Sequence, residues 1–158
     1  MTDAFVPVGF EPPTQLRTTD FLLEPLGPEH NEPDHAAWSS SIEHIHATPG
    51  YDDDDADDDE WPVPLTLEEN LRDLRAHARH FRDREGFTYT VLDPSEGDVI
   101  GCVYIYPSLD ADHDVRVQSW VRVSHAGLDT ALWQAVRDWL ATEAWPFERI
   151  NYAARSEG

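Results

Sequence analysis

The sequence contains no lysine, a single cysteine and few basic residues of any kind. All 11 basic side chains are arginine, against 32 aspartates and glutamates, which gives a formal net charge of −21. A surface of this charge repels nucleic-acid phosphates and anionic lipid, so we expect no binding to nucleic acid or to a membrane surface. The missing lysine is typical of a GC-rich genome, and adaptation to high salt is a second explanation of the acidic excess.

Two further absences bear on location. Cys102 is the only cysteine, which excludes an internal disulfide and suits a reducing compartment. The first ten positions lack a basic segment followed by an apolar run, and no window approaches the roughly 18 apolar residues of a membrane span. The sequence therefore predicts a soluble, cytoplasmic protein.

The remaining composition is that of one folded domain. With 158 residues, 40% of them apolar, and six tryptophans, the chain can bury a core. We expect an extended arm at 1–19 and a single domain at 20–158. Positions 52–60 carry eight carboxylates in nine residues, which predicts a disordered, solvated loop. A cation-binding loop is the alternative, but the spaced ligands and central glycine of an EF-hand are missing, so we expect no metal site.

Hydrophobic periodicity predicts the regular elements. A short apolar strand at 21–26 precedes two helical pieces between 29 and 48. Thr66 and Glu69 form a capping box that begins an amphipathic helix ending near Gly86. His77 and His80 fall off the apolar stripe of that helix and should be exposed. Strands follow at 87–92, 99–106 and 115–121, then a helix at about 129–143 and a short strand at 149–153. This order indicates the α/β class, of the α+β type.

Three sequence segments in this order resemble the GNAT superfamily of N-acetyltransferases. They are Leu23-Glu24-Pro25-Leu26, the stretch from Val99 to Ile105, and Trp120-Val121-Arg122 leading into the next helix. The run from Glu24 to Asn31 is also similar to acetyltransferase-like proteins of actinobacteria. The resemblance covers about residues 20–155. It implies a mixed, mostly antiparallel twisted sheet flanked by helices and short at its C-terminal end.

The resemblance implies acetyl-CoA as the acyl donor. In that superfamily the thioester arm meets backbone groups where one strand splays from the next, here at Trp120, Val121 and Arg122. The pyrophosphate lies at the N-terminus of the following helix, where unpaired N–H groups and the helix dipole attract an anion. The implied cofactor-binding positions in that turn are Gly127, Asp129, Thr130 and Ala131.

The cofactor loop departs from the family pattern. The pattern is Gln/Arg-x-x-Gly-x-Gly/Ala, and the equivalent positions are Ala126, Asp129 and Ala131. Asp129 replaces the glycine, is expected to cap the helix itself, and would repel a pyrophosphate. Gly127 leaves a shifted register open. The resemblance therefore implies a degenerate donor loop. Family members also continue beyond the strand near Tyr152 with elements that complete the acceptor side, so we expect the acceptor side to be short.

Candidate catalytic residues have structural alternatives. Glu43 could accept the proton of an amine, or it could lie on a solvated helix face. Tyr104 could line the pocket, or it could be a core aromatic. Arg122 is either a structural ion pair or a replacement for the loop arginine. His44 and His46 are too close together and too isolated for a metal site.

Two functions of different classes remain as hypotheses. The first is an acetyl-CoA-dependent N-acyltransferase that acts on the amine of a small molecule or a protein. The second is a catalytically inactive GNAT-like binding or scaffold domain, which the altered loop favours. In a third hypothesis a homodimer or another chain pairs with the exposed edge of the sheet.

Overall fold

The computed structural model describes residues 5–51, 62–95 and 97–155. The acidic run at 52–60, predicted to be a disordered loop, lies outside these ranges. Within them the chain builds a six-stranded sheet from β1 (Leu16–Arg17), β2 (Leu22–Pro25), β3 (Phe87–Leu92), β4 (Val99–Pro107), β5 (Val115–Val121) and β6 (Ile150–Tyr152).

Helices connect and cover these strands. They are a 3-10 helix (Pro28–His30), α1 (Asn31–Ser39), α2 (Ile42–His46), α3 (Leu67–Asp83), a second 3-10 helix (Val123–Leu128) and α4 (Asp129–Leu140). Among the residues that the structure describes, no helix is long and apolar enough to cross a lipid bilayer.

The strands lie side by side in chain order, from β1 to β6. Neighbours from β1 to β5 are antiparallel, whereas β5 and β6 are parallel. The parallel pair needs a long connection, and α4 supplies it. The predicted mixed, mostly antiparallel sheet flanked by helices is confirmed.

The start of α3 shows how local sequence sets this architecture. The Thr66 hydroxyl accepts a hydrogen bond from the Glu69 backbone N–H at 3.0 Å, and the Glu69 carboxylate accepts one from the Thr66 N–H at 2.9 Å. This is the predicted capping box, and it satisfies two backbone donors that the first turn leaves unpaired. The helix ends at Arg84, whose φ of 60° places it in the left-handed region.

Two apolar layers sandwich the sheet. One layer packs α4 and the N-terminal segment on the sheet, and includes Val6, Leu23, Tyr89, Val103, Ile105, Val117, Val121, Leu132 and Trp139. The other packs α1, α2 and α3 on the opposite face, and includes Trp38, Ile45, Leu74, Cys102 and Trp120. The side chains of β5 alternate between the layers, as its period of two predicts.

A buried polar network ties α1 to α3. The Asn70 side chain accepts a hydrogen bond from Trp38 Nε1 at 3.1 Å and donates to Asp34 Oδ2 at 3.2 Å and Asn31 Oδ1 at 2.9 Å. Burial raises the pKa of Asp34 to about 6, although the hydrogen bond from Asn70 opposes the shift. These contacts fix α1 over the centre of the sheet.

Gly101 provides a test of how tightly β4 and β5 pack. A methyl group on its Cα would lie 2.4 Å from the backbone oxygen of Trp120, which cannot move without disturbing the sheet. Gly101→Ala should lower the free energy of unfolding by about 1–3 kcal/mol in urea titrations. Gly127→Ala, where nothing lies within 4 Å of the added carbon, is the control and should change it by less than about 0.5 kcal/mol. Equal midpoints for the two variants would contradict this packing.

Candidate functional site

β5 and β6 run side by side over only the first part of β5. Val115 pairs with Ile150 and Val117 with Tyr152, whereas β5 continues to Val121. In the described parts of the chain, no strand pairs with residues 118–121 on the β6 side. The result is a gap between the end of β5 and residues 153–155, which we call the wedge. Unpaired strand backbone of this kind needs hydrogen-bond partners from elsewhere.

The side chain of Arg155 fills the wedge and is only 2% exposed. Its Nη2 donates to the backbone oxygen of Ser119 at 2.9 Å, and its Nη1 donates to the backbone oxygen of Ala153 at 2.8 Å. The guanidinium therefore bonds a carbonyl on each side of the gap. It replaces the backbone N–H that a neighbouring strand would have offered to Ser119.

Asp129 neutralises this buried cation. Arg155 Nε donates to Asp129 Oδ2 at 2.8 Å, and the carboxylate itself is 18% exposed. The expectation that Asp129 caps α4 is wrong, because Leu128 holds the N-cap position and no side chain caps this helix. The second 3-10 helix leads directly into α4, and the Asp129 N–H already bonds the Ala126 oxygen. The carboxylate is therefore available for the stronger, charge-assisted bond to Arg155.

Aromatic side chains line the wedge on the α4 side. The Tyr152 hydroxyl lies 2.5 Å from Ser119 Oγ. The Arg155 guanidinium lies 5.7 Å from the centre of the Tyr152 ring, and the Trp133 ring lies 6.3 Å from it. Burial raises the pKa of Tyr152 above its usual range, so the hydroxyl stays protonated. The cation is held between a carboxylate, a carbonyl and an aromatic face.

The turn after α2 covers the opposite side of the wedge. Gln118 Nε2 donates to the backbone oxygen of Gly50 at 2.9 Å. Gly50 has a φ of 97°, and a methyl group on its Cα would lie 3.7 Å from Cβ of Ala153. This turn therefore reaches both borders of the wedge.

Trp120, Val121 and Arg122, which the family resemblance implies hold the thioester arm, lie at the C-terminal end of β5. Trp120 is fully buried and donates from Nε1 to the Tyr104 hydroxyl at 3.1 Å, and Val121 is fully buried in the α4 layer. Arg122 Nη1 donates to the backbone oxygen of Val99 at 3.2 Å. The side chains of Trp120 and Val121 belong to the core, so only their backbone groups could meet a ligand.

The turn implied to hold the pyrophosphate lies next to the wedge. Gly127 and Ala131 are exposed, whereas Thr130 and Asp129 are partly buried. The surface around Gly127 is open. Asp129 thus joins the two halves of the implied cofactor site, since it begins α4 and binds the residue that fills the wedge.

The two candidate catalytic residues differ in environment. Glu43 is exposed on α2, whereas Tyr104 is on β4, where its hydroxyl accepts the hydrogen bond from Trp120. Burial raises the pKa of Tyr104 well above its ordinary value, so the hydroxyl keeps its proton at neutral pH.

A histidine cluster was not found by sequence reasoning. His77 Nδ1 lies 2.9 Å from the Tyr106 hydroxyl and 3.0 Å from Thr88 Oγ1, and His80 Nδ1 lies 3.0 Å from the same tyrosine hydroxyl. The expectation that both histidines are exposed is wrong, since each is partly buried. His77 lies three residues after buried Leu74 and four before Phe81, whose ring contacts β3, so it shares the side of α3 that faces the sheet. The three-residue spacing of the two histidines is the signal that could have indicated a shared partner.

Burial keeps His77 neutral. Desolvation, with a smaller effect from the charge of His80, lowers the pKa of His77 to about 4. The imidazole therefore exchanges hydrogen bonds with Tyr106 without carrying charge at pH 7. In residues 5–51, 62–95 and 97–155, no group of three or more histidine, cysteine or acidic side chains could hold a metal ion.

The depressed pKa of His77 makes stability depend on pH. Between pH 4 and 6.5 the unfolded chain binds a proton at this position and the folded chain does not, so acidification favours unfolding. Relative to His77→Asn, whose amide stands near Nδ1 and does not titrate, the wild type should lose about 2 kcal/mol of unfolding free energy between pH 7 and pH 5. Urea titrations at both pH values measure this difference.

The control for the pH experiment is Gly127→Ala, which changes no titrating group and has nothing within 4 Å of the added carbon. The wild type and this variant should change in parallel between pH 7 and pH 5. A parallel change for His77→Asn as well would show that burial does not hold His77 neutral.

Comparisons with known proteins identify the fold. No family model matches the chain, and no curated protein matches it. Solved structures do match: a ribosomal-protein-S5-alanine acetyltransferase from Vibrio fischeri has a TM-score of 0.57 at 14% identity, over 81% of this chain and 67% of that one. A Bordetella pertussis protein described as a GNAT-family acetyltransferase has a TM-score of 0.54 at 18% identity, over 80% and 73%.

A third match was solved with ligands. The microcin C7 self-immunity acetyltransferase MccE, in complex with acetyl-CoA and AMP, has a TM-score of 0.60 at 10% identity, over 83% of this chain and 67% of that one. The chain thus spans about two thirds of the length of such structures. At these identities the likeness establishes a GNAT-like fold and leaves activity to be argued from the site.

Proposed function

We propose that the chain is an acetyl-CoA-dependent N-acyltransferase whose acceptor is the amine of a small molecule or a protein. The observation that carries the proposal is the wedge, where β5 outruns its parallel neighbour next to the start of α4. The three structural neighbours described above are acetyltransferases, and one of them was solved with acetyl-CoA. A strand with unpaired backbone beside a helix start suits an elongated ligand that carries amides at one end and phosphates at the other.

The wedge in this conformation does not fit such a ligand. Arg155 already bonds the Ser119 oxygen, and the Asp129 carboxylate lies in the first turn of α4, where it opposes a phosphate. The residues proposed to bind the donor therefore border a space that these two side chains already occupy.

Two side chains are proposed for proton transfer. Glu43 is exposed on α2 and could accept a proton from an incoming amine. Tyr104 is held protonated by burial, which a proton donor requires. Each could act only if the acceptor reaches the α1 and α2 side of the sheet.

A second candidate function is a GNAT-like binding domain without catalysis. The specific observation in its favour is that a buried arginine and its carboxylate fill the wedge. If that arrangement is permanent, the fold serves as a scaffold. The two candidates differ in whether the folded chain ever binds acetyl-CoA.

A thermal shift with acetyl-CoA tests the proposal. At about 100 times its dissociation constant, a ligand that binds only the native state raises the unfolding free energy by about 2.7 kcal/mol. For a domain of this size, that corresponds to an increase in Tm of about 5–11 °C. We expect this increase, together with release of free thiol when a polyamine or a peptide with a free N-terminus is added.

The control acceptor is the same peptide with an acetylated N-terminus, which should release no thiol. Both measurements should be made at about 0.15 M and 0.5 M salt, because a strongly acidic surface repels the anionic cofactor at low ionic strength. An unchanged Tm and no thiol release at either salt concentration would favour the scaffold function.

A further inference from the structure

We propose that the ion pair between Arg155 and Asp129 is a self-inhibitory latch, which occupies the acyl-CoA site and must open before the cofactor can enter. This inference rests on the proposed function and adds a regulatory step to it. We call the arrangement in the structure the closed state. In it, the Arg155 guanidinium bonds the β5 backbone and the Asp129 carboxylate lies at the start of α4. The latch therefore covers both positions that the donor requires.

Arg155 makes the kind of hydrogen bond that the donor would make. The thioester arm of acyl-CoA carries amide groups, whose N–H donors can bond a strand carbonyl as a neighbouring strand does. The Nη2 of Arg155 already donates to the Ser119 oxygen at 2.9 Å and lies 3.4 Å from its Oγ. The side of the Ser119 oxygen that faces the wedge cannot accept hydrogen bonds from the arginine and from a cofactor amide at the same time. The arginine and the cofactor therefore compete for this oxygen.

The described part of the segment that carries Arg155 is bonded to neighbouring elements through the Arg155 side chain. It follows β6 and forms no regular structure at 153–155. Arg155 Nη1 bonds Ala153, which belongs to the same segment and would move with it. The hydrogen bonds that join the guanidinium to the rest of the molecule lead to Ser119 and Asp129. A segment attached mainly through one side chain can open without unfolding the sheet.

The ion pair is also suited to reversible opening. Burying both charges costs solvation that their attraction only partly returns, so the net stabilisation is small. Asp129 keeps 18% of its side chain exposed, and Arg155 reaches solvent as the segment moves. Both charges regain water in the open state, which lowers the free-energy cost of opening.

Isothermal titration of CoA and acetyl-CoA against four proteins tests the latch. Asp129→Asn keeps the shape of the side chain and removes its charge, Arg155→Ala empties the wedge, and a third variant combines both. The wild-type apparent dissociation constant equals the intrinsic constant divided by the fraction of open molecules, so about tenfold weaker binding corresponds to about 10% open molecules. We expect about tenfold tighter binding for each single variant and tighter binding still for the double variant.

Arg149→Gln is the matched control. Arg149 and Asp114 form a second arginine–aspartate pair, with Nη2 and Oδ1 2.8 Å apart, which lies just before the paired ends of β6 and β5 and is more exposed than the latch. This variant should bind CoA as the wild type does. Far-ultraviolet circular dichroism and Tm confirm that each variant is folded, and Arg155→Leu, which breaks the pair and leaves Asp129 unchanged, tests the latch if Arg155→Ala does not fold.

The outcomes separate the latch from the proposed function. Equal affinity for the wild type and all latch variants would overturn the latch and leave an acyl-CoA site in place. Weaker binding by Arg155→Ala would also overturn it, since Arg155 would then be a ligand of the cofactor. If none of the folded proteins, the double variant included, bound CoA or acetyl-CoA, both the latch and the N-acyltransferase function would be wrong.

Discussion

A strand whose neighbour leaves it early must find other partners for its backbone, and the site in this protein follows from that requirement. β6 pairs with the first three residues of β5, and the Ser119 carbonyl beyond them is buried. An unpaired buried carbonyl costs about 1–3 kcal/mol, so it has to be bonded by water, by a ligand or by the chain itself. Arg155 supplies that bond, and its charge in turn requires Asp129. The residues in the wedge thus meet two linked requirements: a hydrogen bond for the Ser119 carbonyl, and a counter-charge for the arginine that supplies it.

The two borders of the wedge are attached to the rest of the molecule in different ways. On one side β5 is paired with β4 along its whole length, and Gly101 allows the backbone at Trp120 to approach closely. On the other side the borders are the three-residue strand β6 and the turn at Gly50. A hydrogen bond from Gln118 of β5 to the Gly50 oxygen holds this turn. Stability therefore resides in the antiparallel strands and the two apolar layers, while the ligand-facing border is attached by a few polar contacts.

Sequence reasoning predicted what local physics determines. The capping box of Thr66 and Glu69 and the alternation along β5 depend on residues within a few positions of one another, and both are confirmed. The bond between Asp129 and Arg155 spans 26 residues, and that between His77 and Tyr106 spans 29. A periodic pattern shows which side of an element is apolar, but it does not show which polar group from another element will face the other side. Asp129 was therefore assigned to its own helix, and His77 to solvent.

Charge acts on the proposed reaction at two ranges. The net charge of −21 attracts a cationic amine and repels the polyanionic donor, and salt at about 0.15 M screens both effects beyond about 8 Å. Asp129 acts at contact distance, where salt screens little. In an acidic transferase of this kind, a cationic acceptor would associate fast and the anionic donor slowly. Donor entry would then be the step at which a small change in free energy has the greatest effect on the overall rate. The proposed latch lies at the proposed donor site, where Arg155 and Asp129 neutralise each other's charge.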